Sequence, residues 1–277
     1  MSEHQPAVGV KRIPAEMEDN GERYRAPALD KGLDILEALA GTEVGLTQAE
    51  IAKALDRSPS EIYRMLDRLV RRGYVVRTDA ERYELSLKIF ALAHQHSPRR
   101  RLVSLAIPLM RAFVQSSEQA CHLAVFDRGQ VVVIAQLDAP TYWGIAIRLG
   151  AHVGLLGTGS GHVLLAFQTP AERALMLAEH EAAIGELPAP PDLEARLAAL
   201  RARGYERMAS RQLQGVTNIA APVLGPDGSA IAALSCAFVA QADPARPGIE
   251  VAVGRMVEAA RALTELAGGQ STSRSPR

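Results

Sequence analysis

The chain has 277 residues, of which 48% are hydrophobic, 22% are charged and 4% are aromatic, so a disordered or fibrous protein is excluded. With 31 basic and 31 acidic residues the formal net charge is zero, so any attraction for nucleic acid or for a membrane must be local. No uncharged apolar run reaches the roughly 20 residues that a membrane span needs, and the N-terminus lacks the apolar core of a signal peptide. We therefore expect a cytoplasmic protein without a membrane partner, long enough for two domains.

Polar, aperiodic segments stand at both ends of the chain, and we expect disordered tails over residues 1–25 and 268–277. Between them, the run Ser97-Pro-Arg-Arg-Arg101 combines a proline, which is expected to stop a helix, with three arginines that must stay solvated. This predicts a first domain over 26–86, a linker helix over 87–101 and a second domain over 102–267.

Capping signals predict the helices of the first domain. Leucines from Leu29 to Leu39 recur at helical spacing before Gly41, which predicts the first helix. Two capping boxes follow, Thr47 with Glu50 and Ser58 with Glu61, and each predicts a helix start. In the last helix one face is apolar, with Ile62, Met65, Leu66 and Leu69, and the opposite face carries Ser60, Tyr63, Arg64, Asp67, Arg68 and Arg71.

A short hairpin follows Gly73, because residues 75–77 and 82–85 read as strands around a turn. A helix with several arginines is more often a solvated face than a DNA reader, but this order of elements is that of a winged helix-turn-helix. We therefore predict binding to double-stranded DNA, with base contacts from Ser60, Glu61, Tyr63 and Arg64 and phosphate contacts from Arg68, Arg77 and Arg82. Ser58 begins this helix, and Glu61 is a cap first and a reader second. One such unit makes few contacts, so we expect a homo-oligomer on a palindromic operator.

The second domain mixes strands and helices. Strands are predicted over 120–126, 131–137, 144–149, 216–224 and 230–238, and helices from Thr169, over 193–203 and over 249–266. Runs of strands are broken by helices that need not cross over from one strand to the next, which favours an antiparallel sheet with helices packed on it. The fold class of the whole chain is therefore expected to be α+β.

Several segments together resemble the IclR family of transcriptional regulators. They are Leu33-Asp-Ile-Leu-Glu37, Ile62-Tyr-Arg-Met-Leu66, Gly73-Tyr-Val75, Thr158-Gly-Ser-Gly161, Leu164-Leu-Ala166, and the stretch from Gly215 to Val223. The resemblance implies an N-terminal winged helix-turn-helix, a linker helix and a C-terminal GAF-like domain that binds an effector, assembled as dimers or tetramers. The chain departs from the family at His162, where lysine is usual, at Gly154-Leu-Leu156, at Ser210-Arg-Gln212 and at Ala237.

A glycine-rich loop marks the expected effector site. Residues 157–161 stand before an apolar helix, where backbone amides and the helix dipole favour a carboxylate, although the glycines could serve only the turn. The resemblance places a small organic acid there. The predicted effector-binding residues are Tyr142, Trp143, Leu156, Gly157, Thr158, Gly159, Ser160, Met208, Asn218 and Ser235. The aromatic pair, together with Met208 and Leu156, favours an aromatic or otherwise apolar acid.

Two other classes of function remain open at this point. A GAF-domain enzyme or redox sensor would use Cys121 or Cys236, but Cys121 and His122 are adjacent in a predicted strand and point to opposite faces. No catalytic residue, metal site or cofactor is predicted. A protein-interaction role of the winged unit would differ from DNA binding by a weak dependence on salt.

Overall fold

The computed structural model describes residues 26–95, 97–142, 144–185 and 189–269. The chain divides into two compact units after Arg100. The predictions for the N-terminal tail and for Trp143 lie outside the described residues, as does most of the predicted C-terminal tail. Within the described ranges no helix is long and apolar enough to cross a membrane.

The first unit is a winged helix-turn-helix. Its elements are α1 (Pro27–Ala40), β1 (Leu46–Thr47), α2 (Gln48–Ala54), α3 (Pro59–Arg71), β2 (Val75–Arg77), β3 (Arg82–Leu85) and α4 (Lys88–Gln95). The strands form an antiparallel sheet in the order β1-β3-β2. The predicted hairpin is confirmed at both strands. The two-residue strand β1 was not predicted, because its position depends on pairing with β3 across 37 residues of chain, Leu46 opposite Tyr83.

Both capping boxes of this unit are formed. The Thr47 and Ser58 hydroxyls accept from the amides of Glu50 and Glu61, and each glutamate carboxylate accepts from the amide of its cap residue. The core beneath them is built from Ile35, Leu39, Ile51, Ile62 and Leu66. The prediction for α1 was partly wrong: its buried face is centred on Ile35 and Leu39, which leaves Leu29 and Leu33 61% and 47% exposed.

Helix α5 (Ser97–Ser117) runs across the point where the two units divide. A helix does end before Pro98, because α4 ends at Gln95, but the next helix, which was not predicted, begins at Ser97 and continues past residue 101. A proline in the first turn of a helix removes an amide that has no intrahelical partner there, so α5 tolerates it and continues to Ser117.

The second unit contains one six-stranded sheet and helices on both faces. Its further elements are β4 (Cys121–Asp127), β5 (Gln130–Leu137), β6 (His152–Val153), α6 (Gly159–Ala166), α7 (Pro170–Ile184), α8 (Leu193–Arg203), β7 (Glu206–Ala209), β8 (Val216–Leu224), β9 (Ala230–Val239) and α9 (Ile249–Leu266). The strand order is β6-β5-β4-β9-β8-β7, and all neighbours are antiparallel. With the first unit, this confirms the α+β class.

In the second unit one predicted strand is wrong, and two short strands, β6 and β7, were not predicted. Residues 144–149 do not form a strand; the chain joins β5 only at Gly150 and Ala151, whose backbone bonds to Val133, and then in β6. The two isoleucines of this segment alternate with exposed residues and are half-buried, but no strand among the described residues pairs with the segment. The alternation of apolar residues was therefore not enough to predict a strand. Strand β7 was missed because it has only four residues, Glu206 to Ala209, too few to show an alternating pattern.

The two faces of the large sheet differ in side-chain size, and this positions α6. Cys121, Leu123 and Leu234 point to one face, where α5 and α9 cover them. The other face carries Ala124, Ala220 and Ala233, against which α6 and its neighbours pack. Because alanine is short, the first turn of α6 approaches the strands closely, and Gly159 lies against Ala220.

Candidate functional site

The outer face of α3 is the candidate surface for nucleic acid. Ser60, Arg64 and Arg68 are exposed and Tyr63 is 57% exposed. Among the described residues neither Arg64 nor Arg68 makes an ion pair, whereas the Arg71 Nε donates to both oxygens of Asp67 at 2.9 Å. The cationic groups of Arg64 and Arg68 are therefore available to an external anion.

Glu61 is fully committed inside the first unit. Its carboxylate accepts from the Lys31 ammonium at 2.6 Å, and from the Ser58 hydroxyl at 3.0 Å and the Ser58 amide at 3.3 Å. The hydrogen bond from Lys31, followed by those from Ser58, lowers the pKa of Glu61 to about 2. This carboxylate caps α3 and ties it to α1, which leaves little capacity for a base contact.

The wing is the hairpin of β2 and β3, and its two arginines, Arg77 and Arg82, differ in their contacts. The Arg77 guanidinium contacts Glu81 at 2.8 Å and lies over the Tyr83 ring at 6.0 Å. Arg82 donates from Nε to the Val44 carbonyl at 3.0 Å and from Nη2 to Gly45 and Glu50, at 3.1 and 2.9 Å. Arg82 thus connects the wing to the start of α2. The Arg77 guanidinium is exposed and pairs with Glu81.

In the second unit a tight loop precedes α6. The Thr158 hydroxyl accepts from the Gly161 amide at 3.2 Å and donates to the Gly154 carbonyl at 2.7 Å, so it caps the helix and closes the loop. A Cβ at Gly161 would lie 2.0 Å from the Leu155 carbonyl oxygen. Only glycine fits at this position.

Two predicted site residues meet at this helix start, and a histidine joins them. The Ser160 hydroxyl lies 2.8 Å from that of Ser235, and the His122 Nε2 lies 3.4 Å from the Ser160 oxygen. All three side chains are buried. Strand register explains the cluster, because His122 on β4 stands opposite Ser235 on β9. The sequence analysis placed His122 on the face opposite Cys121 but did not assign it to the site.

His122 is neutral at physiological pH, because burial lowers its pKa to about 4 from an ordinary value of 6.5. The unfolded chain takes up a proton below pH 6.5 while the folded chain does not, so folding stability falls as the pH drops from 6.5 towards 4. We expect this group to cost about 1.5 kcal/mol between pH 6.5 and about pH 5. Urea denaturation at both pH values should show the loss in the wild type and a smaller one in His122→Gln; an equal loss in both would contradict the prediction.

A second buried polar network lies on the other side of the α6 start. The His162 Nδ1 is 3.1 Å from the Glu206 Oε2, and its Nε2 is 3.1 Å from the Leu156 carbonyl oxygen. The Glu206 Oε1 accepts from Arg203 at 3.0 Å and from the Arg207 amide at 2.8 Å. Burial raises the pKa of Glu206, but the bonds from His162 and Arg207 outweigh it, so the pKa is lowered. Sequence analysis missed Glu206 because β7 itself was missed.

The remaining predicted effector residues are divided. Asn218 and Met208 are half-buried and opposite one another on β8 and β7, and the Asn218 Cβ lies 3.6 Å from the position of a Cβ at Gly159. Leu156 is buried and Gly157 is half-buried in the loop. Tyr142 is 99% exposed, so its ring faces solvent and does not line a cavity in this structure. Within the described residues no group of three or more His, Cys, Asp or Glu side chains is placed to hold a metal ion.

Comparison with known proteins agrees with this architecture in both units. The IclR helix-turn-helix domain model matches residues 28–79, and the model for the bacterial transcriptional regulator IclR C-terminal matches residues 94–263. The chain is 32% identical over 213 residues to the HTH-type transcriptional regulator BhcR of Paracoccus denitrificans, covering 75% of this chain and 76% of that protein. It is 30% identical to the regulator KdgR of Escherichia coli, covering 75% of this chain and 80% of KdgR.

Solved structures show the same fold. An IclR homolog from Microbacterium hydrocarbonoxydans, crystallised with 4-hydroxybenzoate, superposes with a TM-score of 0.70 at 24% identity, over 87% of this chain and 98% of that one. The Thermotoga maritima IclR superposes with a TM-score of 0.67 at 23% identity and the same coverage. The family matches span most of the chain, and they show that this protein belongs to the IclR family of bacterial transcriptional regulators.

Proposed function

We propose that this regulator binds a specific operator through α3 and the wing, and that a small organic acid bound at the start of α6 modulates this binding. The single observation that carries the DNA part is the exposed face of α3, where Arg64 and Arg68 have no ion-pair partner among the described residues. In a winged helix-turn-helix this face enters the major groove, early residues reach base edges and later cations hold phosphates.

The operator is expected to be palindromic and the protein a dimer or tetramer. One winged unit contacts too few phosphates for useful affinity, and two related half-sites supply the rest. Ser60, Tyr63 and Arg64 are the proposed base readers, and Arg68 and Arg77 the proposed phosphate ligands. Arg82 and Glu61 act mainly by holding the unit together, since their polar atoms are already bonded within it.

The effector part of the proposal is supported by the geometry at α6. Free backbone amides at a helix start favour an anion, and Ser160, Ser235 and His122 offer a buried polar wall beside them. Asn218 and Met208 extend this wall with one polar and one apolar side chain. A carboxylate with an apolar body, aromatic or aliphatic, matches this combination. The 4-hydroxybenzoate complex of the Microbacterium homolog is an example of such an acid in the same fold.

The proposal is tested by footprinting on the DNA that flanks the protein's own gene, repeated with a panel of aromatic and aliphatic acids. We expect two protected half-sites and, with one acid of the panel, a change in operator affinity of at least about tenfold, equivalent to about 1.4 kcal/mol of coupling. Binding should weaken steeply as salt rises, with a slope near −0.9 per neutralised phosphate. Equal affinity for operator and scrambled duplex, with and without every acid, would refute the proposal.

A catalytic or redox role for the cysteines receives no such support. Cys121 and Cys236 are both buried, on the sheet face away from α6. Burial raises the pKa of Cys121 to about 12 and raises that of Cys236 further above its ordinary range. Both are therefore protonated thiols, which are poor nucleophiles and react slowly with oxidants.

A further inference from the structure

The environment of His162 fixes its protonation state. The side chain is 1% exposed, and each ring nitrogen lies 3.1 Å from an oxygen, one of the Glu206 carboxylate and one of the Leu156 carbonyl. A backbone carbonyl only accepts hydrogen bonds, and so does an ionised carboxylate. A neutral imidazole has one donor and one acceptor, so it would turn a lone pair towards one of these oxygens. Only the doubly protonated ring donates to both.

Glu206 does not supply the missing proton. Its second oxygen, Oε1, accepts from the Arg203 guanidinium at 3.0 Å and from the Arg207 amide at 2.8 Å, so both oxygens are used as acceptors. These bonds stabilise the ionised form, in agreement with a lowered pKa despite partial burial. This set of contacts matches an imidazolium that donates to a carboxylate and to a carbonyl.

This pair adjoins the first residue of α6. A Cβ at Gly159 would lie 3.6 Å from the Glu206 Cγ, and His162 is three residues further along the same helix. Through its two bonds His162 joins α6 to β7 and to the loop at Leu156. With Arg203 the network then holds two cations and one carboxylate, so its net charge is positive beside the first turn of α6.

We propose that His162 is a buried imidazolium and the positioning residue of the effector site, which holds the loop of residues 154–158 and the first turn of α6 in the geometry that receives an anion. The ligand in this inference rests on the proposed effector function, whereas the protonation state of His162 does not. A positive charge on His162 implies selection of a carboxylate over the uncharged amide of the same acid. Lysine carries the same charge and also donates to more than one acceptor, so it is the conservative replacement for His162.

Nitrogen-15 NMR of histidine-labelled full-length protein tests the ring directly. At pH 7 we expect both nitrogens of His162 to show the shifts of protonated nitrogens, with the signal assigned by its loss in His162→Gln. A shift typical of an unprotonated nitrogen would overturn the proposal whether or not any effector binds.

Hydrogen exchange tests positioning without a ligand. We expect His162→Gln to increase exchange of the amides at residues 154–161 at least about tenfold, a local opening of the kind that exchange detects, and His162→Lys to restore protection. His180→Gln is the matched control, because His180 is also buried but contacts the Gly129 carbonyl, in the turn between β4 and β5. Unchanged exchange in His162→Gln, or loss in all three variants, would overturn the positioning role.

Calorimetry with 4-hydroxybenzoate, benzoate and benzamide then tests charge selection. For an acid that binds the wild type, His162→Gln should weaken the affinity about tenfold, about the size of a typical coupling, and His162→Lys should leave it within a factor of about three. Equal binding of benzamide and benzoate would contradict the selection of anions. Absence of binding by any acid, with the expected NMR and exchange results, would instead count against the proposed effector class and leave the imidazolium established.

Discussion

Replacing Gly161 by alanine is expected to destabilise the second unit by about 3 kcal/mol, at the upper end of overpacking effects. The added Cβ would lie 2.0 Å from the Leu155 oxygen, 2.6 Å from its carbonyl carbon and 2.7 Å from its Cα. These are backbone atoms of a loop that is closed by the Thr158 bond to Gly154, so they cannot rotate away as a side chain does. The intrinsic preference of alanine for helices returns only about 1 kcal/mol.

Gly159→Ala is the matched control for this experiment, because both glycines belong to the first turn of α6. At Gly159 the nearest atom to an added Cβ is the Ala220 Cβ at 3.3 Å, a tight contact that a shift of a few tenths of an ångström relieves, and the Asn218 Cβ and Glu206 Cγ lie at an ordinary 3.6 Å. We expect a change within about 1 kcal/mol. Urea denaturation should separate the variants, and hydrogen exchange should assign the loss to residues 101–269. Equal stability of Gly161→Ala and the wild type would show that the loop relaxes freely.

Local chemistry made much of the fold predictable. A capping box involves residues three apart, so Thr47 with Glu50, Ser58 with Glu61 and Thr169 with Glu172 mark helix starts whatever the rest of the chain does, and all three are formed. Gly204 ends α8 with a φ of 86°, as a left-handed glycine at a helix end should. The winged helix-turn-helix follows from such signals in order.

Features that depend on distant pairing were not predictable in the same way. The strands β1 and β7 have two and four residues, and each exists only because a partner strand supplies its ladder. The candidate site shows the same limit. Ser160 and Ser235 were predicted singly, but their contact requires α6 to pack on β9, and the addition of His122 requires the register of β4 on β9. His162 was noticed as a departure from the family, whereas its partner Glu206 lies on an unpredicted strand.

The double variant Arg64→Ala with Arg68→Ala is expected to weaken specific operator binding at least about 30-fold, because two contacts of about 1–3 kcal/mol each contribute at least about 2 kcal/mol together. Folding stability should stay within about 0.5 kcal/mol of the wild type, since both side chains are exposed on α3 and no ion pair with a described residue is lost. The dependence of affinity on salt should also decrease, by about 0.9 in slope for each phosphate contact removed. Fluorescence anisotropy with operator and scrambled duplexes at several salt concentrations measures both effects.

Two further variants distinguish a loss of DNA contacts on α3 from a general effect of net charge or of stability. Arg255→Ala with Arg261→Ala removes the same charge from exposed ion pairs of α9 in the other unit, so it should leave operator affinity nearly unchanged. Arg82→Ala removes donors to Val44, Gly45 and Glu50, so any loss of DNA binding there should come with a lower melting temperature of the first unit. Equal weakening by the two double variants would trace the effect to net charge alone and remove α3 as the reading surface.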